Sequence, residues 1–278
     1  MILNGRKIAA EILEEVKSET VKLTFQPVFC DILVGDDPAS AQYVRMKAAA
    51  AEKVGFKFRR ADFPASISTS DLIAEIKKIN QEPNMCGLIA QLPLPSSVDK
   101  QAVLNAIDPK IDVDCTGEIN TNLFYSGTAY VEFPTAAAIM RILDSAHQDL
   151  KSKKFLVIGY GQLVGKPVEF LLKQHGLDVD IARSKTENIL DLMKAADVII
   201  AAVGKPKLVS GDKIKKGAII IDAGTSESDG GIVGDVDFES VKAVAGFISP
   251  VPGGVGPVTV AILLKNVLGV AKLKSDIV

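Results

Sequence analysis

Residues 155–167 read Phe155-Leu-Val-Ile-Gly-Tyr-Gly-Gln-Leu-Val-Gly-Lys-Pro167, an apolar strand-like run that enters a helix-like segment through three glycines. Their spacing is G-x-G-x-x-x-G, one residue longer than the common dinucleotide fingerprint. Glycines at such a turn let a pyrophosphate approach the main chain, and the N-terminus of the following helix favours negative charge. Glycine also occurs at strand-to-helix turns that bind no nucleotide, so both interpretations fit the loop taken alone.

The same strand-and-helix alternation extends along most of the chain. Predicted strands cover 28–34, 56–63, 86–92, 155–159, 178–182, 197–203, 218–222 and about 246–248. Predicted helices cover 4–22, 38–53, 70–80, 135–146, 167–175 and 187–195. Asp37 and Pro38 suit a helix start, and Gly55 suits the end of the same helix. This alternation predicts parallel α/β sheets.

A polar, irregular stretch after Asp108 interrupts the pattern until about residue 130, and we expect the chain to cross between domains there. The helix after Pro257 is apolar on more than one face and must be buried, so it is expected to pack back on the first domain. We therefore predict an α/β protein with a substrate domain at 1–120 plus 258–278 and a Rossmann-like dinucleotide-binding domain at 121–257.

Composition narrows the class of protein. With 278 residues, 47% hydrophobic and 24% charged, the chain can bury a large core, and 32 basic against 34 acidic residues give a net charge of −2. Near-neutral charge and the absence of tryptophan disfavour nucleic acid as a partner. No signal-like N-terminus and no apolar run of roughly 18 residues are seen, so no membrane association is expected.

The cysteines and histidines also narrow the class of protein. Three widely spaced cysteines, Cys30, Cys86 and Cys115, are typical of reduced thiols in a cytoplasmic protein. The only histidines, His147 and His175, have no ligand or nucleophile at a suggestive spacing. We expect neither a metal site nor a histidine-based triad.

The end of the second strand after the glycine loop bears on the cofactor. NAD sites usually place an acidic residue there for the ribose 2′-hydroxyl. Here Arg183, Ser184 and Lys185 occupy the segment, which favours the 2′-phosphate of NADP, although a solvated basic turn also fits.

Three side-chain groups are candidates for chemistry. Tyr43 and Lys47 lie four residues apart on one helix and project from the same face, as a surface pair also would. Gln91 ends a predicted buried strand, where ligands bind in open α/β sheets. Asp112 and Asp114 alternate as in a short extended piece, so only one carboxylate can face a given cleft.

Taken in order, these segments resemble the methylenetetrahydrofolate dehydrogenase/cyclohydrolase family over nearly the whole chain. The matching motifs are Val34-Gly-Asp-Asp-Pro-Ala-Ser-Ala-Gln-Tyr-Val-Arg-Met-Lys47, Gln91-Leu-Pro-Leu-Pro95, Asp112-Val-Asp114, the loop at 159–167, Ala196-Asp-Val-Ile-Ile-Ala-Ala-Val-Gly-Lys-Pro206, Gly234-Asp-Val-Asp237 and Pro250-Val-Pro-Gly-Gly-Val-Gly-Pro257. The resemblance implies oxidation of 5,10-methylenetetrahydrofolate with NADP, then hydrolysis of the methenyl product to 10-formyltetrahydrofolate.

The resemblance also implies roles for residues. Lys47 would relay protons in the hydrolytic step, Gln91 would hydrogen-bond and tune it, Tyr43 would stack on the aminobenzoyl ring, and Asp114 would bind the pterin. The implied substrate contacts are Ser40, Tyr43, Leu92, Pro93, Asp114, Pro252, Gly253 and Gly254. The implied cofactor contacts are Gly159, Tyr160, Gly161, Gln162, Leu163, Val164, Gly165, Arg183, Ser184, Val203, Gly204 and Thr225. The Pro- and Gly-rich run at 249–259 would align nicotinamide and pterin in a cleft where the domains meet.

The chain departs from the family pattern in four places. At the nicotinamide side, Thr225 stands where an aliphatic residue is usual. Cys115-Thr116 follows Asp114 where glycine and an aromatic residue or leucine are usual. Tyr160-Gly161 replaces a usual Arg-Ser, which removes a cation near the 2′-phosphate. Phe133-Pro-Thr-Ala136 stands where Pro-Cys-Thr-Pro is usual, with only Thr135 in register.

These departures leave two alternatives open: a one-activity or NAD-linked member of the same family, and a non-catalytic nucleotide or folate sensor. The resemblance further implies one-carbon metabolism, purine biosynthesis and a homodimer. Because Lys47 is expected in an exposed cleft, its replacement by alanine is expected to leave the fold intact.

Overall fold

A computed structural model of the protein describes residues 1–228 and 231–275. Within them the helices are α1 Gly5–Thr20, α2 Pro38–Lys53, α3 Thr69–Asn80, α4 Lys100–Ala106, α5 Glu118–Tyr125, α6 Pro134–Asp144, α7 Gly165–Gln174, α8 Ile189–Ala195, α9 Phe238–Lys242 and α10 Val255–Ser275. The strands are β1 Val28–Val34, β2 Lys57–Phe63, β3 Met85–Ala90, β4 Phe155–Ile158, β5 Val179–Ala182, β6 Val198–Ala201, β7 Ile219–Asp222, β8 Ser226–Ser228, β9 Gly231–Val233 and β10 Phe247–Ile248.

The structure confirms the predicted mixed α/β fold with parallel sheets. Three short helices, α4, α5 and α9, were not predicted, and α5 lies inside the stretch that was expected to be irregular. Each has at most two buried residues, so its apolar periodicity is weak in the sequence. The predicted domain ranges also contain residues 229–230 and 276–278, which lie outside the described residues.

The chain divides into two compact units. The three-stranded unit comprises Ala10–Pro134 with Val260–Val278, and the five-stranded unit comprises Met1–Ala9 with Thr135–Thr259. Residues 1–9 fall in the second of these because they pair with β10: Leu3 N donates to Ile248 O at 2.8 Å, and Ile248 N donates to Met1 O at 3.0 Å. The predicted boundaries at 120 and 257 stay predictions.

In the three-stranded unit the sheet order is β2-β1-β3, with parallel pairs. The central strand β1 is buried at every one of its seven residues. The sheet packs against α10, whose Val267 lies so close to Gly87 that a Cβ there would come within 2.6 Å of it. Lys272 of α10 also pairs with Glu19 of α1 at 2.6 Å. The C-terminal helix therefore returns to the first part of the chain, as predicted.

The expectation that no apolar run approaches the length of a bilayer span was wrong for α10. By length and composition alone this 21-residue helix could cross a membrane. Of its most apolar 18 residues, 67% are buried inside the protein, as in the core helix of a globular fold. Burial inside the protein therefore accounts for its composition.

In the five-stranded unit the sheet order is β10-β7-β6-β4-β5, again parallel throughout. The chain leaves β4 towards β5 on one side and returns through β6 on the other. The connections after β4 and β6 therefore run in opposite directions, and a crevice opens between them at the carboxyl ends of the strands. Dinucleotides bind at this kind of switch point, so the topology marks the loops after β4, β5 and β6 as the ligand edge.

Candidate active and cofactor sites

Helix α2 places the candidate catalytic lysine, and its ends are set by the residues predicted to set them. Asp37 caps the helix by accepting a hydrogen bond from Ser40 N at 2.7 Å, and Pro38 occupies the first turn. Gly55 follows the C-cap with φ +89°, the left-handed conformation that glycine adopts without a steric cost. These residues determine where the helix begins and ends, and therefore the direction in which Tyr43 and Lys47 project.

Lys47 is buried, and its ammonium has two strong partners. Lys47 Nζ donates to Gln91 Oε1 at 2.7 Å and lies 2.7 Å from Asp31 Oδ2. An ammonium group has three donors, so these contacts leave one position for a water molecule or a substrate atom. The predicted pairing of Lys47 with Gln91 is present in the structure.

One expectation about Lys47 was wrong. The residue is only 6% exposed rather than lying in an open cleft, and it neutralises a carboxylate with no exposed surface. Removing one member of a buried ion pair leaves the other charge without compensation, which typically costs about 3–5 kcal/mol. Substitution of Lys47 by a neutral residue is therefore expected to lower the free energy of unfolding as well as the activity.

Asp31 was missed by the sequence reasoning. It is the fourth residue of β1, in the run Val28-Phe-Cys-Asp-Ile-Leu-Val34, and it was treated as part of an apolar strand. One acidic residue inside an otherwise apolar, two-sided buried strand is the signal that could have found it, because such a carboxylate requires a buried partner.

The loop after β3 carries Gln91 and the predicted substrate contacts that follow it. Gln91 comes directly after the last strand residue and uses its Nε2 to donate to Leu92 O at 2.7 Å, which turns its Oε1 towards Lys47. Leu92 is half-buried, Pro93 is exposed, and the peptide bond between them is cis. On α2, Tyr43 lies half-buried one turn before Lys47, and Ser40 is buried in the first turn.

The segment Asp112-Val-Asp114 is a turn, so the predicted extended conformation was wrong. Asp112 forms a single bridge with Leu88, and its carboxylate accepts hydrogen bonds from Gly117 N at 2.9 Å and Thr116 N at 3.3 Å. Those backbone bonds use Asp112 to hold the turn, which leaves Asp114 as the carboxylate available to a ligand. That only one of the two carboxylates faces a cleft stays a prediction.

Asp114 is half-buried, and its pKa is raised. Withdrawal from water raises its pKa to about 6, with the ammonium of Lys47 opposing the shift and the carboxylates of Asp112 and Asp31 adding to it. The electrostatic coupling to Lys47 and Asp31 places Asp114 in the same charged cluster. A carboxylate with a pKa near 6 is ionised at neutral pH and can accept two adjacent N–H donors.

Cys115 explains one departure from the family pattern. Its φ is +60°, in the left-handed region that costs a residue with a Cβ roughly 1–2 kcal/mol and glycine nothing. The side chain is fully buried and its Sγ lies 3.4 Å from Asn120 O. The main chain therefore follows the path that a glycine would take, and the cysteine side chain is accommodated in the core.

The glycine loop of the five-stranded unit packs so closely against main chain that two of its glycines have no room for a side chain. Gly159 has φ +100°, and a Cβ there would lie 2.3 Å from Ala202 O. A Cβ on Gly165, the first residue of α7, would lie 2.0 Å from Gly159 O. At Gly161, by contrast, no heavy atom of the described residues other than Gly161 and its two chain neighbours lies within 4 Å of that position. The loop is closed towards the protein and open outward, which fits a pyrophosphate at the start of α7.

Arg183 and Tyr160 meet at the carboxyl ends of β5 and β4. The Arg183 guanidinium lies 4.0 Å from the centre of the Tyr160 ring, a cation–π contact, and the Tyr160 hydroxyl donates to the carboxylate of Glu169. Ser184 is exposed beside it. No acidic residue stands at the end of β5, so the site fits a 2′-phosphate better than a free 2′-hydroxyl.

Two buried aspartates shape the remaining cofactor loop. Asp235 accepts hydrogen bonds from Val203 N at 2.6 Å, Gly204 N at 3.2 Å and Lys205 N at 2.6 Å. Asp222 at the end of β7 accepts from Gly224 N, Asp235 N and Val236 N, each at 3.0 Å. The carboxylates thus fix the backbone at Val203 and Gly204, the predicted cofactor contacts. Thr225 is exposed beside this loop.

The Pro- and Gly-rich run packs against the start of α1 within the five-stranded unit. Gly253 has φ +108° and a Cβ there would lie 3.4 Å from Arg6 Nε, whereas a Cβ on Gly254 would come within 2.5 Å of Pro250 O. Gly5 approaches the same segment so closely that its Cβ would meet Gly254 O at 1.8 Å. The run, which includes exposed Pro252 and a cis bond before it, can only take this path with glycine at these positions.

Comparison with known proteins covers both units. The model of the tetrahydrofolate dehydrogenase/cyclohydrolase catalytic domain matches residues 3–114, and the model of the NAD(P)-binding domain of the same family matches residues 134–275. The bifunctional protein FolD of Dichelobacter nodosus is 45% identical over 280 residues, which cover 98% of this chain and 96% of that protein.

Solved structures agree with the sequence comparison. The bifunctional FolD methylenetetrahydrofolate dehydrogenase/cyclohydrolase from Campylobacter jejuni is 35% identical with a TM-score of 0.94, covering 99% of both chains. The Trypanosoma brucei methylenetetrahydrofolate dehydrogenase-cyclohydrolase, solved with NADP and an inhibitor, is 34% identical with a TM-score of 0.94, covering 99% of this chain and 98% of that one.

Proposed function

The chain belongs to the tetrahydrofolate dehydrogenase/cyclohydrolase family, and from that premise we propose how its residues perform two consecutive reactions. It oxidises 5,10-methylenetetrahydrofolate to the 5,10-methenyl form with NADP and then hydrolyses that product to 10-formyltetrahydrofolate. The observation that carries the hydrolytic half is the buried Lys47 ammonium held at 2.7 Å by Gln91 and by Asp31, with one donor position left. A sensor without catalysis would have no use for such a group.

In the dehydrogenase step the protein positions the reactants. When bound, NADP supplies the acceptor for the hydride. The chain's own contribution is to hold that cofactor at the loop of Gly159–Gly165, at Arg183 and at the backbone of Val203 and Gly204. Orientation alone can lower a barrier by several kcal/mol, so a side-chain base is not required.

In the cyclohydrolase step Lys47 moves protons. Water adds to the methenyl carbon, Lys47 Nζ, once it has lost a proton and is a neutral amine, takes a proton from that water, and Gln91 keeps the lysine oriented while this happens. Tyr43, one turn away on α2, stacks on the aminobenzoyl ring, and Asp114 accepts hydrogen bonds from the pterin. We assign the remaining substrate contacts to Ser40, Leu92, Pro93, Pro252, Gly253 and Gly254.

We further propose a cytoplasmic homodimer with no nucleic-acid or membrane partner, which supplies formyl groups to purine biosynthesis. Support comes from the near-neutral charge, the three buried free thiols and the family resemblance. The proposed folate-binding domain is 1–120 with 258–278, and the proposed NADP-binding domain is 121–257.

A two-wavelength assay tests the function. The protein is incubated with 5,10-methylenetetrahydrofolate and either NADP or NAD while reduced nicotinamide and methenyl absorbance are followed together. We expect reduced nicotinamide to form faster with NADP and no methenyl product to accumulate. Accumulation of the methenyl compound would contradict the hydrolytic half, and a preference for NAD would contradict the cofactor assignment.

A further inference from the structure

Asp31 is a carboxylate in the centre of the three-stranded unit. It lies in the middle strand of the sheet, opposite Arg60 on β2 and Ile89 on β3, and none of its surface is exposed. Burial of a charge is costly unless the charge is paired and hydrogen-bonded. Its one close polar contact in the described residues is the Lys47 ammonium at 2.7 Å from Oδ2.

Other buried aspartates of the chain show what a structural carboxylate looks like here. Asp112 accepts two backbone N–H groups, and Asp222 and Asp235 accept three each. Apart from the Lys47 ammonium at 2.7 Å, no described residue donates a hydrogen bond to either oxygen of Asp31. Those three aspartates accept hydrogen bonds from backbone N–H groups, whereas the one close polar partner of Asp31 among the described residues is Lys47.

A buried ion pair is weak support for stability, because well-packed apolar residues of similar volume often serve the fold equally well. A charged residue in an otherwise apolar strand, with the candidate catalytic lysine as its partner, is therefore better explained by an effect on the reaction of Lys47 than by a contribution to stability. The same lysine also bonds Gln91, so Asp31 and Gln91 together determine where Nζ lies.

We propose that Asp31 is the positioning residue of the cyclohydrolase reaction, which fixes the Lys47 ammonium beside Gln91 and takes up its proton when Lys47 acts as a base. This inference rests on the proposed role of Lys47. One proton passes from Lys47 Nζ to Asp31 Oδ2, so that a neutral amine and a carboxylic acid replace the ion pair and the net charge stays zero.

The atoms of the following step balance. Water oxygen forms a bond to the methenyl carbon, one electron pair of the C=N bond moves onto nitrogen, and the proton lost by water goes to the Lys47 amine. When the C–N bond breaks, the added hydroxyl oxygen loses its proton and forms the C=O bond of the formyl product. The electrons of the C–N bond stay on the leaving nitrogen, which takes that proton. Asp31 then gives the proton that it took from Lys47 to solvent, which restores the ion pair. Methenyl cation plus water thus gives the formyl compound and one proton released to solvent.

The electrostatic surroundings suit this exchange. The charged groups that act on Asp31 are Lys47 from α2, Arg60 and Asp62 from β2, and, through their mutual coupling, Asp114. Burial raises the pKa of Asp31 above the usual range of an aspartate, while Lys47 and Arg60 oppose the shift. A carboxylate with a raised pKa accepts a proton from a neighbouring ammonium more readily than an exposed one does.

The test compares Asp31→Asn with the wild type in cyclohydrolase kcat, KM and pH–rate profile, with the dehydrogenase kcat measured on the same preparation as a check of the fold. We expect cyclohydrolase kcat to fall about tenfold or more, with KM changed less than about twofold. The limb of the profile that reports the base should move to lower pH by about half a unit or more, because loss of the anion favours the neutral amine.

Cys30→Ala is the matched control. Cys30 precedes Asp31 on β1 and is equally buried, and the polar partner of its Sγ is Arg59 Nη1 at 3.8 Å. It should leave the kcat and the profile of the hydrolytic step unchanged. If Asn at position 31 prevents folding, Asp31→Val replaces it, since an apolar residue suits this apolar strand.

Wild-type kcat and an unmoved profile in a folded Asp31 variant would overturn the proposal, as would a loss of kcat that leaves the pH limb in place. Lys47→Ala separates this failure from that of the proposed function. If Lys47→Ala abolishes hydrolysis and Asp31→Asn does not affect it, only the role of Asp31 is wrong. If Lys47→Ala also retains hydrolysis, the proposed function of the site itself is wrong.

Discussion

The two candidate sites are built in opposite ways. Around Lys47, the three-stranded unit gathers polar and charged side chains: Asp31 is buried, whereas Gln91 and Asp114 are half-buried. Around Gly159, the five-stranded unit offers mainly backbone to a ligand, because glycines leave the loop without side chains. The carboxylates of Asp222 and Asp235 accept hydrogen bonds from backbone N–H groups rather than from a ligand. One site is adapted for proton transfer and the other for holding a large anionic ligand.

This difference predicts how each site fails. A site made of coupled side chains should lose activity when one charge is removed, because the remaining charges are buried without a partner. A site made of backbone should tolerate many side-chain changes but not an added Cβ, because main-chain atoms cannot rotate away. The following changes, in order of expected effect, test that contrast.

Lys47→Ala should have the largest effect on hydrolysis. Cyclohydrolase kcat should fall by about 10³-fold or more, since a proton-relay group is removed, and the free energy of unfolding should drop by about 3 kcal/mol because Asp31 is left unpaired. Lys53→Ala, an exposed lysine of the same helix, is the control and should change neither quantity. Thermal unfolding and the methenyl assay measure both, and a stability equal to the wild type would contradict the buried pair.

Gly165→Ala should break the other site. Its Cβ would lie 2.0 Å from Gly159 O, so the loop must move, and overpacking of this kind costs about 1–3 kcal/mol. We expect the KM for NADP to rise about a hundredfold, whereas hydrolysis of added methenyl substrate should persist. Gly161→Ala, where the corresponding space is open, should impair binding much less. Equal effects of the two substitutions would show that the glycine loop is not the binding determinant.

Arg183→Ala should change cofactor preference without destroying the site. Loss of a charge-assisted contact to the 2′-phosphate is expected to raise the KM for NADP about tenfold to a hundredfold and the KM for NAD far less. Tyr160→Phe keeps the ring beneath Arg183 and should have a smaller effect. Steady-state kinetics with both cofactors decides the point, since parallel losses would remove the 2′-phosphate role.

Asp114 predicts a pH effect on substrate binding. Its pKa is raised to about 6 by burial, and the pterin donors require the ionised form, so the protonated fraction grows as the pH falls through 6. The KM for methylenetetrahydrofolate should therefore rise about tenfold from pH 7 to pH 5. Asp114→Asn should bind weakly at every pH and lose this dependence. A flat KM in the wild type would show that Asp114 does not bind the pterin as an anion.

Cys115→Gly should have the smallest effect. Glycine removes the cost of φ +60°, while the loss of a buried side chain offsets that gain, so the free energy of unfolding should change by no more than about 1 kcal/mol. Both activities should be retained, which denaturant titration and the two-wavelength assay can check. A large loss would mean that the cysteine, rather than the backbone path, shapes the turn.

Local features of the fold could be predicted because their causes are local. The start of α2 at Asp37 and Pro38, its end at Gly55, and the glycine turn after β4 follow from capping and φ preferences that act over a few residues. The pairing of Lys47 with Gln91 came from motif resemblance rather than from spacing. The helices α4, α5 and α9 were missed because a short helix with one or two buried residues has almost no periodic signal.

The sequence by itself determined the parallel α/β fold, the family and the identity of Lys47, Gln91 and the glycine loop, because apolar periodicity, turn chemistry and motif order are properties of the chain. Only the tertiary structure decided that Lys47 is buried against Asp31, that Asp112 binds backbone while Asp114 stays free for a ligand, and that Arg183 lies over Tyr160. The Lys47–Asp31 and Arg183–Tyr160 pairs each join residues that are far apart in the chain. Their electrostatics depend on distance and burial, which exist only once the chain has folded.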